Sequence, residues 1–167
     1  MTKLHASRNE VHALNARADD RSESALEPGD LKARTEAAAA VAASNAARVD
    51  RDARFPEEAM TAVRTQRLLG IMVPRDLGGE GASLSDVADV CSRLGRACSS
   101  TAMIYAMHQI MVACVLRHGR NTPWHERLLR RLCAEQLLLA SSTTEGRGGG
   151  NVRSSEAPGG SCTSAIR

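Results

Sequence analysis

The stretch LLGIMVPRDLGGEGAS, residues 68–83, decides how this chain is organised. It contains a short apolar step (Ile71, Met72, Val73), then Pro74, then glycines at 78, 79 and 81. Proline and clustered glycine interrupt helices and mark connections, so the stretch reads as a loop between two helices. Both flanks carry boundary marks. Upstream, FPEEAMTAVRTQRLLG places Pro56 in a first helical turn. Glu57 and Glu58 lie near the positive end of the helix dipole, and Gly70 is placed to end the helix. Downstream, Ser83 and Asp86 form a short capping pair, and Val87, Val90, Cys91 and Leu94 recur at helical spacing behind it.

The pattern continues outward in both directions. DLKARTEAAAAVAASNAARVDRDAR is rich in alanine, the best helix former, with Asp30 as its cap and Leu31, Ala38, Val41 and Val49 on one apolar face. Residues 1–29 mix charge, Ser and Asn with few large apolar side chains and are expected to be a loose leader. On the other side, Ser99 and Ser100 are candidate caps for TAMIYAMHQIMVACVLRHG, which is apolar nearly all round and therefore expected in the middle of a bundle. Gly119 can end it. Thr122 and Pro123 start a last helix that buries Leu128, Leu129, Leu132 and Cys133. The apolar run at residues 137–144 is strand-like and lacks a partner strand. The expected class is mainly α: a bundle of about five helices over residues 30–136, followed by the first strand of an incomplete β-domain at 137–155.

Composition narrows the partners. A charged fraction of 25% and an apolar fraction of 43% are ordinary for a globular protein. Aromatics make up 2% (Phe55, Tyr105, Trp124), too few for a platform on which nucleic-acid bases stack. A net charge of +3 does not call for a polyanion. The apolar run at residues 103–116 is broken by His108 and Gln109 and falls short of the roughly 20 residues a membrane span needs. Five widely spaced cysteines contain no Cys-x-x-Cys pair, so neither a metal site nor a disulfide framework is expected. Reduced thiols and a cytoplasmic location fit best.

Single residues carry little on their own. Glycines at 146 and 148 begin a dinucleotide-binding spacing, but position 151 is Asn, and no helix pattern follows. His108 lies within the apolar helix and reads as a core histidine with satisfied partners, ahead of a catalytic base. RLLRRL (residues 127–132) fits the solvated face of an amphipathic helix. Cys98 has no base beside it in sequence and reads as a packing residue.

The order of elements carries more. Residues 31–154 resemble the N-terminal helical domain of the acyl-CoA dehydrogenase family and the start of its middle β-domain. The resemblance rests on LLGIMVPRDLGGEGAS, on the segment from VDRDARFPEE to YAMH, on LRHG, and on the helix and strand-like run that follow. LLASSTTEGRGGGN is similar to the family's strand x-Leu-Thr-Glu-Pro with the following x-Ala-Gly-Ser-Asp, with Gly146 in place of Pro and Asn151 in place of Asp.

The resemblance implies FAD as cofactor, with Ser141, Thr143 and Thr144 on the flavin side and Gly149 and Gly150 at the phosphate turn. Gly150 stands where the family usually has Ser, so that side-chain donor is missing. It also implies an acyl-CoA substrate, association of subunits, and α,β-dehydrogenation with a carboxylate base supplied by the C-terminal helical domain. No catalytic residue is therefore expected in this chain. Met103, Tyr105 and Met107 are candidates for a pocket wall. Residues 156–167 do not resemble the family, and a frameshift or early stop near Ser155 is expected. Two readings stay open beside the dehydrogenase: a flavin-dependent monooxygenase on the same scaffold, and a cofactor-free helical interaction module. A translated remnant without function is a further one.

Overall fold

The computed structural model describes residues 30–119 and 122–141, and these form five α-helices. They are α1 (Leu31–Arg51), α2 (Glu57–Thr65), α3 (Leu84–Ala97), α4 (Ser99–His118) and α5 (Pro123–Glu135), with one 3-10 turn at Arg75–Leu77. The caps explain most of the boundaries. The Asp30 carboxylate accepts from the Lys32 N–H at the start of α1. Ser83 and Asp86 complete a reciprocal capping box at α3, each satisfying the other's backbone donor. Pro123 occupies the first turn of α5, where its missing N–H costs nothing.

The first helix packs against α2 and α3, and α3 packs on α4. Ala38 meets Met60, Val63, Leu68, Leu69, Ile71, Val87, Val90, Leu94 and Tyr105 in the main core. Thr35, Ala38, Ala42 and Val49 form the buried stripe of α1, at spacings of three, four and seven. A smaller core places Val73, Leu77 and Val112 against Leu129, Leu132 and Cys133 of α5.

Four expectations need correction. The second helix stops at Thr65 rather than Gly70: Arg67 turns with φ of 53°, and the Leu68 N–H bonds to Val63 O. Leu68, Leu69 and Ile71 are all fully buried after the helix has ended. Gly70 is needed for a different reason: a Cβ there would lie 2.9 Å from Cys133 Sγ. The N-cap of α4 is Cys98, with extended backbone and no side-chain cap bond, while Ser99 and Ser100 are the first two helical residues and are exposed. Nor is α4 covered all round, since Met103, Met107 and Ile110 are among the exposed large apolar side chains. As a helix it runs 20 residues, long and apolar enough by length and composition to cross a membrane. Within this fold it contributes Tyr105 to the main core and Val112 to the second, and holds the connection at residues 66–83. Last, residues 137–141 carry no strand, because no strand among the described residues is there to pair with them. The rest of that run lies outside the described residues.

Candidate functional site

The connection at residues 66–83 has no regular ladder over most of its length, so its backbone groups must find partners elsewhere. Part of the solution is internal. Gly81 N–H donates to Val73 O and Ala82 N–H to Ile71 O, folding the segment back on itself. Gly79 sits in the crook, where a Cβ would lie 2.0 Å from Val73 O. Arg34 of α1 grips Glu80 through both carboxylate oxygens, at 2.8 and 2.6 Å, and also donates to Gln66 O.

The inner face of α4 supplies donors to two of the connection's carbonyls. Tyr105 Oη donates to Leu68 O at 3.1 Å, and Gln109 Nε2 lies 3.2 and 3.3 Å from Leu68 O and Leu69 O. His108 Nε2 is 2.9 Å from Leu69 O. All three side chains are almost wholly buried. Burial pushes the Tyr105 phenol well above its ordinary range, so it stays a neutral donor. Burial also lowers the His108 pKa and so favours the neutral ring, partly opposed by the contact with Leu69.

A second strand of contacts fixes the chain as it leaves the bundle. Gln136 ends α5 in the left-handed region, at φ of 50°. Its Oε1 accepts from Leu69 N–H at 3.2 Å and its Nε2 donates to Cys133 O at 2.9 Å. Three residues later, Leu139 N–H donates to His108 Nδ1 at 2.9 Å. Because Nδ1 accepts, the ring proton is on Nε2 and points at Leu69 O. The exit strip at 137–141 is thus held at both Gln136 and Leu139, and Leu137, Leu138 and Leu139 rest against the two cores.

Ser141 is exposed at the end of this strip. Its hydroxyl can donate or accept, which suits the polar edge of a flavin ring, but one hydroxyl is a contact and not a binding site. Thr143, Thr144, Gly149 and Gly150 lie outside the described residues. Of the three pocket-wall candidates, Met103 and Met107 share the exposed face of α4 with Ile110, whereas Tyr105 is on the opposite face and fully buried. Gln109 and Gln136 were not singled out from sequence. The signal for Gln109 is its place beside His108 inside an apolar run, since a polar pair there needs buried partners. No group of three metal-ligating side chains occurs among the described residues.

Residues 31–136 match the family described as acyl-CoA dehydrogenase, N-terminal domain. The chain belongs to this family. Among curated relatives of this acyl-CoA dehydrogenase domain, 3-sulfinopropanoyl-CoA desulfinase of Paraburkholderia xenovorans is 30% identical over 99 residues, covering 59% of this chain and 24% of the relative. Probable acyl-CoA dehydrogenase FadE25 of Mycobacterium tuberculosis is 28% identical over 112 residues, 67% of this chain and 28% of the relative. Probable FMNH2-dependent monooxygenase SfnC of Pseudomonas putida is 34% identical over 88 residues, 50% of this chain and 22% of the relative. The matches thus span about a quarter of the length of these relatives. No solved structure matches the chain significantly.

Proposed function

We propose that this chain forms one wall of the active-site cavity of an FAD-dependent acyl-CoA dehydrogenase, acting with family segments beyond the described residues. The observation that supports the reading is the exit strip: a family helical domain ends in a segment pinned at Gln136 and Leu139, with Ser141 exposed at its end. Bound FAD would supply the acceptor for the hydride leaving the β carbon of the acyl thioester. The chain's own residues bind, orient and exclude water. Ser141 would orient the flavin edge, with Thr143 and Thr144 following it. Met103, Met107 and Ile110 would offer an apolar, water-excluding surface to an acyl chain or to the next domain. α4 contains no Asp or Glu, so the base that takes the α proton comes from another segment. On this reading the described domain alone does not turn over substrate.

The test is a visible absorption spectrum of the purified chain after incubation with excess FAD and desalting. A retained flavin band supports the reading. Loss of the band with helical circular dichroism intact overturns it for this chain and leaves the cofactor-free interaction module. A second reading, flavin-dependent monooxygenation, is favoured by the 34% identity to the relative named as an FMNH2-dependent monooxygenase. Joined to the remaining family segments, a dehydrogenase reduces its flavin with acyl-CoA alone. A monooxygenase consumes oxygen only when reduced flavin is supplied.

A further inference from the structure

Between Gln136 and Ser141 the backbone has two tethers among the described residues, Leu137 N–H to Leu132 O and, further along, Leu139 N–H to His108 Nδ1. Two residues separate Leu139 from Ser141, a reach of at most about 7 Å. Without the Leu139 bond, the nearest backbone tether would be Leu137, four residues back, a reach of about 14 Å. One imidazole therefore narrows where the end of the strip sits. It does so only in one protonation state, because its Nδ1 must present a lone pair while Nε2–H holds Leu69 O.

We propose that His108 is the positioning residue for the exit strip at 137–141, its neutral Nε2–H form clamping Leu139 to the connection at Leu69. Its meaning for flavin rests on the cofactor reading above; the clamp itself does not. The ring touches neither substrate nor cofactor and works through the backbone of residues 137–141. Protonation would place a second N–H on Nδ1, facing the N–H of Leu139 donor to donor, and would release the strip. The titratable and charged groups on the elements packed round this network are Arg34 on α1, Cys91 on α3, Tyr105 on α4, Cys133 on α5, and Arg67 and Glu80 in the connection. Burial is the largest influence on His108 itself, followed by its Leu69 contact.

The experiment is residue-resolved amide exchange on the full chain, expressed as protection factors so that the intrinsic pH dependence is removed. His108→Gln keeps a donor near the Nε2 position and loses the acceptor; His108→Asn places an acceptor near Nδ1 and loses the Leu69 arm. The expected result is a fall of about tenfold in Leu139 protection in His108→Gln, the scale of one lost hydrogen bond, with His108→Asn close to wild type. Because burial lowers the His108 pKa, wild-type protection at Leu139 should persist where a free imidazole protonates and fall only at lower pH, while the α1 amides keep theirs. Equal protection of Leu139 in wild type and His108→Gln would overturn the proposal. So would equal losses in His108→Gln and His108→Asn, which would make the ring a packing residue. The ring nitrogens of wild-type His108 decide the matter should a variant fail to fold: nitrogen NMR at neutral pH that places the proton on Nδ1 instead of Nε2 overturns the clamp. FAD retention is read on the same samples. If the wild-type chain keeps no flavin, the cofactor reading fails while the exchange data still decide the clamp.

Discussion

The two faces of α4 are reversed relative to an ordinary surface helix. Its inner face carries Thr101, Tyr105, His108 and Gln109 along with Val112, all buried. Its outer face carries Met103, Met107 and Ile110, which are 63%, 46% and 52% exposed. A helix usually turns its apolar side inward. Here the neighbour decides: the inner face meets the irregular connection, whose carbonyls at Leu68 and Leu69 need donors, and only polar side chains can supply them. The outer face makes no such demand and is left apolar. Polarity on this helix follows what each face must satisfy, and depth alone does not set it.

The largest expected effect breaks the inner side of the comparison at its cause. In Gly79→Ala the new Cβ would overlap Val73 O, so the connection cannot keep its path under α4, and stability should fall by about 3 kcal/mol in urea denaturation. Next is a double-mutant cycle. Tyr105→Phe and Gln109→Leu should each cost about 1 kcal/mol, because each leaves Leu68 O one remaining donor. Together they orphan that buried carbonyl and should cost about 3 kcal/mol, more than their sum. Additive losses would mean that the carbonyl does not depend on this helix.

These positions also show what could be read in advance. Asp30, the Ser83–Asp86 pair and Pro123 announced their helix starts because capping is a local interaction between residues a few positions apart. His108 was legible as a satisfied core histidine, since a polar ring in an apolar helix has few other places to go. Its partners were not legible: both are backbone groups, at Leu69 and Leu139, and every residue has those. The early end of α2 was hidden for a related reason. The backbone groups of Leu68 and Leu69 bond to side chains of α4 and to Gln136 instead of a helical ladder, and only the tertiary arrangement shows that. Residues 137–141 have a strand-like composition, yet a strand is a property of a pair, and a single segment cannot display it. The flavin side was legible through family resemblance more than through chemistry: one of its five positions, Ser141, is among the described residues.

Ser83→Ala should lower stability by about 1 kcal/mol in the same assay, because it removes the cap that fixes the far end of the connection. Smaller still is the outer face. Met107→Gln with Ile110→Gln should change the stability of this chain by less than about 0.5 kcal/mol, as exposed positions usually do. A loss as large as that of the inner-face pair would erase the contrast between the two faces. The least effect belongs to a site remote from α4. Hydrogen bonding to Arg54 above all, with the charge of Arg48 assisting, holds the Glu58 carboxyl down at about 2 from its ordinary 4.5. A depressed carboxylate stabilises the fold above its ordinary value and loses that contribution as pH falls from 4.5 toward 2. Thermal melts across that interval should show a slight decline that Glu58→Gln removes, discounted because the pair is solvent-screened.

The close fit of α5 against Gly70 has a consequence for chemistry with thiol reagents. Burial pushes the Cys133 thiol up to about 11, and the reactive form is the thiolate. While α5 is seated, Cys133 is therefore masked twice, by access and by protonation, whereas Cys114 on the outer face of α4 is open to solvent. A disulfide reagent added to the native chain should consume Cys114 promptly and Cys133 only when α5 lifts away. The slow phase then becomes a clock for that lifting, kept by a residue the fold already contains.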